Sequence, residues 1–363
     1  MRSSENGSSG VATLLWGLAG IGAVVAARSF IKQKRKIDFT GKTVVITGGS
    51  RGLGLVMARQ FAKEGARLAI CARDQEELDL AQADLEQYGG TVFTFACDLT
   101  NKAEVKAFIH VVQRDIGPID VLVNNAGVIT VTPFEHATEE DFRESMETHF
   151  WACYHTISEV LPQMRERQSG RIVNIASFGG KVPVPHLAPY VTSKFAMVGY
   201  SEGLRAEVMK DNIYVTTVCP GLMRTGSPRH AIIKGQNEKE YAWFKIGDSL
   251  PILAMSAEQS ARKIIDACRY GQAELILTLP AKLASVFHGV FPGLTSDISF
   301  LVNKLLPAPG GIGSQRTTGG ASETDLTQSF LTKLTDEAAE ANNEMVDQSG
   351  EDVVEEDRGL PNQ

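Results

Sequence analysis

The segment that most constrains the fold of this chain is an apolar strand pattern that leads into a glycine-rich turn and then a helical pattern. Lys42–Thr47 reads as a short buried strand, and Gly-Gly-Ser-Arg-Gly-Leu-Gly follows at residues 48–54. Leu55–Glu64 then carries apolar side chains at helical spacing. Glycines let the backbone approach a pyrophosphate, and a helix N-terminus offers unpaired N–H groups to the anion. The pattern therefore predicts a dinucleotide-binding unit.

Strand and helix patterns continue to alternate beyond this unit. Further strands are predicted at Arg67–Ala72, Thr91–Ala96 and Val121–Val123, with amphipathic helices between them at Asp74–Tyr88 and Lys102–Ile116. This β-α-β-α-β-α-β order predicts an α/β fold with a doubly wound parallel sheet.

The second half of the domain shows the same kinds of pattern. Thr138–Met164 is predicted as one long helix, with Thr138 as its N-cap and Asp141 close to a capping box. Strands are predicted at Ile213–Val218 and Ala273–Leu279, and a helix at Ala257–Tyr270. Residues 228–250 are predicted to form an irregular, mobile loop over an active site.

Two arginines bear on the choice of dinucleotide. At the end of the second strand of such a fold, an acid binds a free ribose 2′-hydroxyl, whereas an arginine accommodates a 2′-phosphate. The strand here ends at Ala72 with Arg73 next, and Arg51 lies in the glycine turn. Both cations favour NADP(H), while Asp74 keeps NAD as an alternative.

A tyrosine and a lysine four residues apart are the chief candidates for chemistry. Tyr190 and Lys194 share one face of a helical pattern, and Ser177 follows the apolar run at residues 171–176. A phenol beside an ammonium is a candidate general acid, because the positive charge favours phenolate and lowers the phenol pKa. Taken alone, the pair is also compatible with an ordinary contact on a helix surface.

Five signals, taken in chain order, resemble the short-chain dehydrogenase/reductase family over about Phe39–Leu279. They are Thr47-Gly48-x-x-x-Gly52-x-Gly54, Asp98, Asn124-Asn125-Ala126-Gly127, Ser177 with Tyr190 and Lys194, and Pro220-Gly221. The resemblance implies a Rossmann-type doubly wound parallel sheet of about seven strands with flanking helices. Substrate would bind at the carboxyl ends of the strands.

The resemblance also implies roles for individual residues. Ser177 would hold the carbonyl oxygen, Tyr190 would donate the proton, and Lys194 would depress the Tyr190 pKa and hold the nicotinamide ribose. No metal is required. With Arg73 added from the strand argument, the cofactor-binding residues are Gly48, Ser50, Arg51, Gly52, Leu53, Gly54, Arg73, Asp98, Leu99, Asn125, Ala126, Gly127, Tyr190, Lys194, Pro220, Gly221, Met223 and Thr225.

His149 marks one departure from the family pattern. The family commonly has a fourth catalytic residue, an asparagine, in the helix after Asn-Asn-Ala-Gly, and His149 stands at that position here. That asparagine supports a water linking the active-site lysine to solvent. His149 is therefore a candidate for a similar role through its backbone or its ring, with a purely structural histidine as the alternative.

An uncharged run of seventeen residues, Val11–Ala27, lies near the N-terminus and is at the lower limit for a membrane-spanning helix. No Ala-x-Ala cleavage site closes the run, which favours a membrane anchor over a cleaved signal peptide. A basic cluster follows the run, and the positive-inside rule therefore predicts that the catalytic domain faces the cytoplasm. A soluble enzyme with an N-terminal interaction helix is the alternative. The basic residues are Arg28, Lys32, Lys34, Arg35 and Lys36.

The C-terminal part divides into an apolar and an acidic segment. Residues 281–306 are strongly apolar but interrupted by Pro292-Gly293, which predicts helices packed on the domain or contacting a membrane. Residues 308–363 carry twelve acidic and three basic side chains, and residues 307–363 are predicted to be mostly disordered, with a helical piece within Thr327–Met345. The predicted domains are therefore residues 1–36, 37–280, 281–306 and 307–363.

Composition excludes several classes of protein. The net charge of −7 is concentrated in the acidic tail, and no basic face suited to nucleic acid is evident. The five cysteines form no Cys-x-x-Cys pair, which indicates a reduced compartment without a zinc cluster.

Together these features predict an NADP(H)-dependent oxidoreductase that acts on the carbonyl or hydroxyl of an apolar substrate such as a lipid, steroid or ketone. A 3-oxoacyl thioester reductase and a non-catalytic NADP-binding sensor or scaffold are the alternatives. The family resemblance further implies a homodimer or homotetramer.

Overall fold

A computed structural model describes residues 30–250, 254–329 and 332–345. The apolar run predicted as an anchor, residues 11–27, lies outside these ranges. Within them, no helix is both long and apolar enough to cross a bilayer.

The strands are numbered in chain order. They are β1 Thr43–Thr47, β2 Arg67–Ala72, β3 Val92–Ala96, β4 Ile119–Asn124, β5 Thr130–Val131, β6 Gly170–Ile175, β7 Ile213–Cys219, β8 Met223–Arg224, β9 Ile232–Ile233, β10 Met255–Ser256, β11 Glu274–Ile276 and β12 Thr317–Thr318.

The α-helices are numbered in the same way. They are α1 Gly52–Lys63, α2 Gln75–Glu86, α3 Lys102–Asp115, α4 Glu139–Met146, α5 Ala152–Glu166, α6 Ala188–Val208, α7 Asn237–Ser249, α8 Ala257–Arg269, α9 Leu279–Val290, α10 Pro292–Asn303 and α11 Lys333–Ala341.

Seven strands form the parallel sheet that the sequence predicts, in the order β11-β7-β6-β4-β1-β2-β3. The strand order reverses between β1 and β4, and ligands of open α/β sheets bind at such a switch point. The glycine turn follows β1, and Asn125 to Gly127 follow β4. The topology therefore brings these two segments together at one edge of the sheet.

Apolar side chains cover both faces of the sheet. One cluster packs α1, α2 and α8 against one face, and a second packs α3, α5 and α6 against the other. All five residues of β1 are buried, because a central parallel strand is covered on both sides.

Two predicted segments differ in the structure. The predicted helix at residues 138–164 is interrupted by a π-helical segment, Glu147–Trp151, between α4 and α5. The predicted capping box is present, since Thr138 and Asp141 exchange side-chain and backbone hydrogen bonds. The irregular loop predicted at residues 228–250 is wrong over Asn237–Ser249, which forms α7.

Helix α7 forms because one of its faces is buried. Tyr241, Phe244, Lys245 and Asp248 recur at helical spacing and are all at most 6% exposed. The segment is polar on average, so its overall hydrophobicity did not predict a helix with a buried face.

The apolar segment at residues 281–306 forms two helices, α9 and α10, whose large side chains are mostly exposed. The acidic segment also contains structure where its composition predicts disorder. Strand β12 pairs with β9, and Glu323 forms ion pairs with Arg229 and Lys245. These long-range pairings hold the tail residues within 307–329 on the domain. Residues 346–363 lie outside the described ranges.

Candidate active site

The proposed catalytic side chains meet at the carboxyl ends of the central strands. Ser177 lies two residues beyond β6, while Tyr190 and Lys194 lie in the first two turns of α6. The Ser177 hydroxyl accepts a hydrogen bond from Gly179 N–H at 3.0 Å and faces the Tyr190 phenol. The Lys194 Nζ atom lies 5.6 Å from the centroid of the Tyr190 ring. The three residues therefore form one group.

The electrostatics of Tyr190 differ from the prediction. Burial raises the pKa of Tyr190 to about 12, and the hydrogen bond with Ser177 opposes this rise. The depression of the Tyr190 pKa by Lys194 that the sequence predicts is therefore wrong for this arrangement. Lys194 is itself 4% exposed, and its Nζ atom donates to the Ile175 carbonyl oxygen at 3.0 Å. Burial lowers the pKa of Lys194 to about 8.

His149 is held by both of its ring nitrogens. Val128 N–H donates to Nε2 at 3.1 Å, so Nε2 is an acceptor and the proton of the neutral ring belongs on Nδ1. Nδ1 lies 2.7 Å from the Ser193 hydroxyl, which donates to the Tyr190 carbonyl oxygen at 2.8 Å. Burial, followed by the nearby Lys194 charge, lowers the pKa of His149 well below its usual value.

This bonding pattern fixes the orientation of the His149 ring beside Tyr190. Its ring packs edge-on against the Tyr190 ring, with the centroids 5.4 Å apart. It lies in the π-helical segment, a distortion that is common at functional sites. A Cβ atom at Gly127 would lie 2.9 Å from Nε2, so the backbone after β4 also depends on the position of this ring.

The glycine turn has the shape that a dinucleotide needs. Gly48 and Gly52 adopt φ values of +60° and +54°, which L side chains rarely adopt. A Cβ atom at Gly54 would overlap the Gly48 carbonyl oxygen, which accepts a hydrogen bond from Asn125 Nδ2 at 2.9 Å. Helix α1 begins at Gly52 and directs its N-terminal N–H groups toward this edge. These residues fit a bound pyrophosphate.

The predicted cations lie in different surroundings. Arg73 is exposed at the end of β2. Arg51 forms an ion pair with the buried Glu77, and its Nε atom lies 3.5 Å from a carboxylate oxygen of Glu344. Ser50 Oγ donates to Glu77 at 2.7 Å. Sequence reasoning missed both acidic partners of Arg51, which are distant from it in the chain.

The remaining predicted cofactor residues follow neighbouring strands. Asp98 accepts hydrogen bonds from the backbone and side chain of Thr100, which shapes the turn after β3 and leaves Leu99 buried. Ala126 N–H donates to the Thr47 hydroxyl at 3.2 Å, which ties the β4 turn to β1.

The segment after β7 completes this edge of the sheet. The Pro220 carbonyl oxygen accepts a hydrogen bond from Phe178 N–H at 2.7 Å. A Cβ atom at Gly221 would lie 2.6 Å from Thr278 Oγ1, so this turn also requires close packing. Met223 belongs to β8, and the Thr225 hydroxyl donates to Ser227 Oγ at 2.9 Å.

Helix α7 adds a carboxyl group that sequence reasoning missed. Asp248 is 5% exposed, and burial raises its pKa to about 8. Its charge contributes to the raised pKa of Tyr190, so the two groups are electrostatic neighbours. Helix α7 is also tied to the segment before Tyr190, because Glu240 bonds both His186 Nδ1 at 2.9 Å and Trp243 Nε1 at 2.7 Å. The helical spacing of the buried positions in α7 was the available signal.

Comparison with known sequences places this site in a family. Residues 42–232 match the family described as short chain dehydrogenase. The chain is similar to 17-beta-hydroxysteroid dehydrogenase 13 of Mus musculus, with 34% identity over 200 residues that cover 54% of this chain and 66% of the relative. It is also similar to the fatty acyl-CoA reductase of Acinetobacter baylyi, with 30% identity over 270 residues that cover 74% of this chain and 86% of the relative.

Solved structures show the same architecture. L-Sorbose reductase from Gluconobacter frateurii, complexed with NADPH and L-sorbose, superposes with a TM-score of 0.59 at 29% identity, covering 67% of this chain and 97% of that one. NAD+-bound xylitol dehydrogenase superposes with a TM-score of 0.58 at 26% identity, covering 66% and 99%. The chain therefore belongs to the short-chain dehydrogenase/reductase family, whose chemistry is the oxidation or reduction of CH–OH and C=O groups.

Proposed function

We propose that the chain transfers hydride between NADP(H) and the carbonyl or hydroxyl carbon of an apolar substrate. The observation that carries this proposal is the convergence of Ser177, Tyr190 and Lys194 beside a glycine turn that fits a pyrophosphate. The bound nicotinamide supplies or accepts the hydride, and the protein supplies position and electrostatics.

The protein groups have distinct tasks in reduction. The Ser177 hydroxyl holds the substrate oxygen, on which negative charge develops. With a pKa of about 12, the Tyr190 phenol carries its proton at neutral pH and is ready to donate it to that oxygen. Lys194, with a pKa of about 8, is buried beside the phenol and can exchange a proton near physiological pH. His149 keeps the Tyr190 ring and backbone in place.

An apolar substrate is supported by the surroundings of Tyr190. The ring packs against a cluster that includes Leu187, Phe244 and Trp243. A cavity of about 400 Å³ lies beside the segment that precedes Tyr190, between Val184 and the C-terminal end of α10, and its lining combines apolar side chains with Glu135 and Lys304. Relatives named for hydroxysteroids, ketoacyl groups and fatty acyl-CoA are consistent with this class. Those names also keep a 3-oxoacyl thioester as the second candidate substrate.

The preference for NADP(H) rests on Arg51 and Arg73. Arg73 follows the end of β2 and Arg51 lies in the nearby glycine turn, and in this proposal a 2′-phosphate on the adenosine ribose pairs with their guanidinium groups. We expect Arg73→Ala to raise the KM for NADPH about tenfold and to leave that for NADH nearly unchanged. Arg114→Ala, on the exposed end of α3, is the matched control. Equal effects on both dinucleotides would contradict the assignment.

A measurement of substrate turnover distinguishes the proposed enzyme from a non-catalytic NADP-binding sensor or scaffold. The purified full chain is given NADPH with aliphatic ketones, a steroid ketone, a 3-oxoacyl thioester and a ketose, and absorbance at 340 nm is followed. We expect Tyr190→Phe to lower kcat at least 100-fold while NADPH still binds, since general acid catalysis typically contributes that much. Tyr200→Phe on the same helix is the control. Binding of NADPH without turnover of any substrate would favour a sensor or scaffold.

We further propose that residues 11–27 anchor the chain in a membrane, with the catalytic domain on the cytoplasmic side. The basic residues that follow this run support that orientation. Helices α9 and α10 offer a second lipid contact, since they expose Leu283, Val286, Phe300 and Leu301. Flotation with anionic vesicles tests both elements. A full chain that remains in the soluble fraction would refute the anchor.

We also propose a homodimer or homotetramer, formed through the face shared by the π-helical segment, α5 and α6. Trp151, Tyr154 and Phe195 are about 40% exposed on this face, and exposed apolar patches on a folded domain commonly mark protein–protein interfaces. Light scattering on the purified chain measures its mass. We expect Trp151→Glu to lower the mass to that of a monomer, and a wild-type monomer would refute the proposal.

A further inference from the structure

The C-terminal tail lies directly on the glycine turn. Gly52 N–H, at the start of α1, donates to the Asn342 carbonyl oxygen at 2.9 Å. A Cβ atom at Gly52 would overlap the Glu344 carboxylate, which shows how closely this side chain approaches the turn. Glu344 is only 3% exposed. A buried carboxylate from the tail therefore occupies the edge that fits a pyrophosphate.

A guanidinium and an imidazole lie beside this carboxylate. One oxygen of Glu344 lies 3.5 Å from Arg51 Nε and 3.0 Å from His230 Nε2. Arg51 is one of the residues that family resemblance assigns to the cofactor phosphates. The carboxylate and a phosphate group would therefore compete for the same guanidinium.

Neighbouring tail residues reinforce the contact. Asn343 Nδ2 donates to the Ser50 carbonyl oxygen at 3.0 Å. Arg59 on α1 donates to Asn342 Oδ1 at 3.0 Å and to the Ala341 carbonyl oxygen at 2.9 Å. The tail is thus bound to both the turn and the first helix of the predicted dinucleotide site.

The same tail also reaches the opposite end of that site. Ala339 is fully buried, and a Cβ atom at Gly226 would lie 2.5 Å from its Cα atom. Gly226 follows Thr225, which family resemblance assigns to the nicotinamide carboxamide. Residues 339–344 therefore cover the region from the carboxamide segment to the phosphate turn.

We propose that residues 333–344 are an intramolecular competitor of the nicotinamide dinucleotide, with Glu344 in the place of a cofactor phosphate. This inference depends on the proposed function, because it requires that the glycine turn binds a dinucleotide. The dinucleotide binds only the fraction of molecules whose tail has left the turn, so its apparent Kd rises as that fraction falls. Release breaks the contacts of Glu344 with Arg51 and His230 and frees the Gly52 N–H at the start of α1.

Binding of NADPH to the full-length chain, measured by calorimetry, tests this competition. Glu344→Gln keeps the shape of the side chain and removes its charge, and we expect it to lower the Kd for NADPH about tenfold. Glu340→Gln is the matched control, because Glu340 is exposed on α11, four residues before Glu344, and its substitution should leave the Kd unchanged. A Kd for Glu344→Gln within twofold of both wild type and control would overturn the proposal.

Hydrogen exchange on the wild-type chain gives a second, independent measurement. Saturating NADPH should increase amide exchange in residues 333–344 while it protects residues 47–55. Unchanged or slower exchange in the tail would show that tail and dinucleotide bind together, and would overturn the proposal. If neither NADPH nor NADH binds wild type or Glu344→Gln at millimolar concentration, the proposed function fails, and the competition fails with it.

Discussion

Replacement of Asp248 by asparagine should change how the stability of the protein depends on pH. Asp248 is 5% exposed on α7, and burial raises its pKa from 3.8 to about 8. Because the folded pKa lies above the unfolded value, the folded state retains a proton that the unfolded state loses between about pH 4 and pH 8. Asp248 therefore makes the wild-type protein less stable as the pH rises through this window.

The size of the effect follows from the same shift. Within the window, each pH unit lowers the free energy of unfolding by about 1.4 kcal/mol relative to a variant that does not titrate there. Between pH 5 and pH 8 the difference between Asp248→Asn and wild type should thus grow by roughly 3–4 kcal/mol in favour of the variant. The two proteins should be nearly equal in stability only below about pH 4, where Asp248 is protonated in both the folded and the unfolded wild type, because a protonated carboxyl and a carboxamide are similar in shape and polarity.

Urea denaturation at pH 5, 6, 7 and 8, followed by far-UV circular dichroism, measures this difference directly. Asp297→Asn is the control, because it makes the same substitution at an exposed position on α10. A difference between Asp248→Asn and wild type that stays constant across the four pH values would refute the assignment of a buried, protonated carboxyl.

Three further predictions concern the active site itself. Gly54→Ala should abolish NADPH binding in calorimetry, because its Cβ atom would overlap a backbone oxygen, whereas Gly199→Ala has open space and should bind normally. His149→Ala should lower the free energy of unfolding by about 2–3 kcal/mol, since it creates a cavity and removes the acceptor of the part-buried Val128 N–H; unchanged urea denaturation would refute the positioning role. The rate of ketone reduction should fall as the pH rises through about 8, where Lys194 loses its charge. A wild-type rate that does not change between pH 7 and 9 would contradict a role for the charged form of Lys194. The control, Tyr190→Phe, should remain inactive throughout this range.

The sequence was sufficient for the parts of the fold that depend on local pattern. The strand predicted at Arg67–Ala72 has those bounds in the structure, and the one predicted at Lys42–Thr47 differs by a single residue. Both are apolar runs that end at glycines or charges, which is the pattern of a buried parallel strand. Because these strands have the predicted order, the residues that follow them meet at one edge.

Features that depend on residues distant in the chain could not be predicted from local sequence pattern. The pKa of Tyr190 depends on how deeply the phenol is buried, and Asp248 becomes relevant only because α7 packs over the site. Acidic composition predicted a disordered tail, yet Glu323 pairs with Lys245 across 78 residues of chain. Such pairings follow from tertiary structure and leave no local periodicity to detect.

The attachment of the tail to α7 has a consequence for the order of events during turnover. Ser249 and Lys245 on α7 bond Thr335 and Asp336 of the tail, each at 2.7 Å. Helix α7, which packs beside Tyr190, is therefore bonded to the tail segment that a dinucleotide would displace. Displacement would loosen α7 before the substrate enters, so we expect an ordered kinetic scheme. The dinucleotide would associate first and dissociate last, and its oxidised form would inhibit competitively against NADPH.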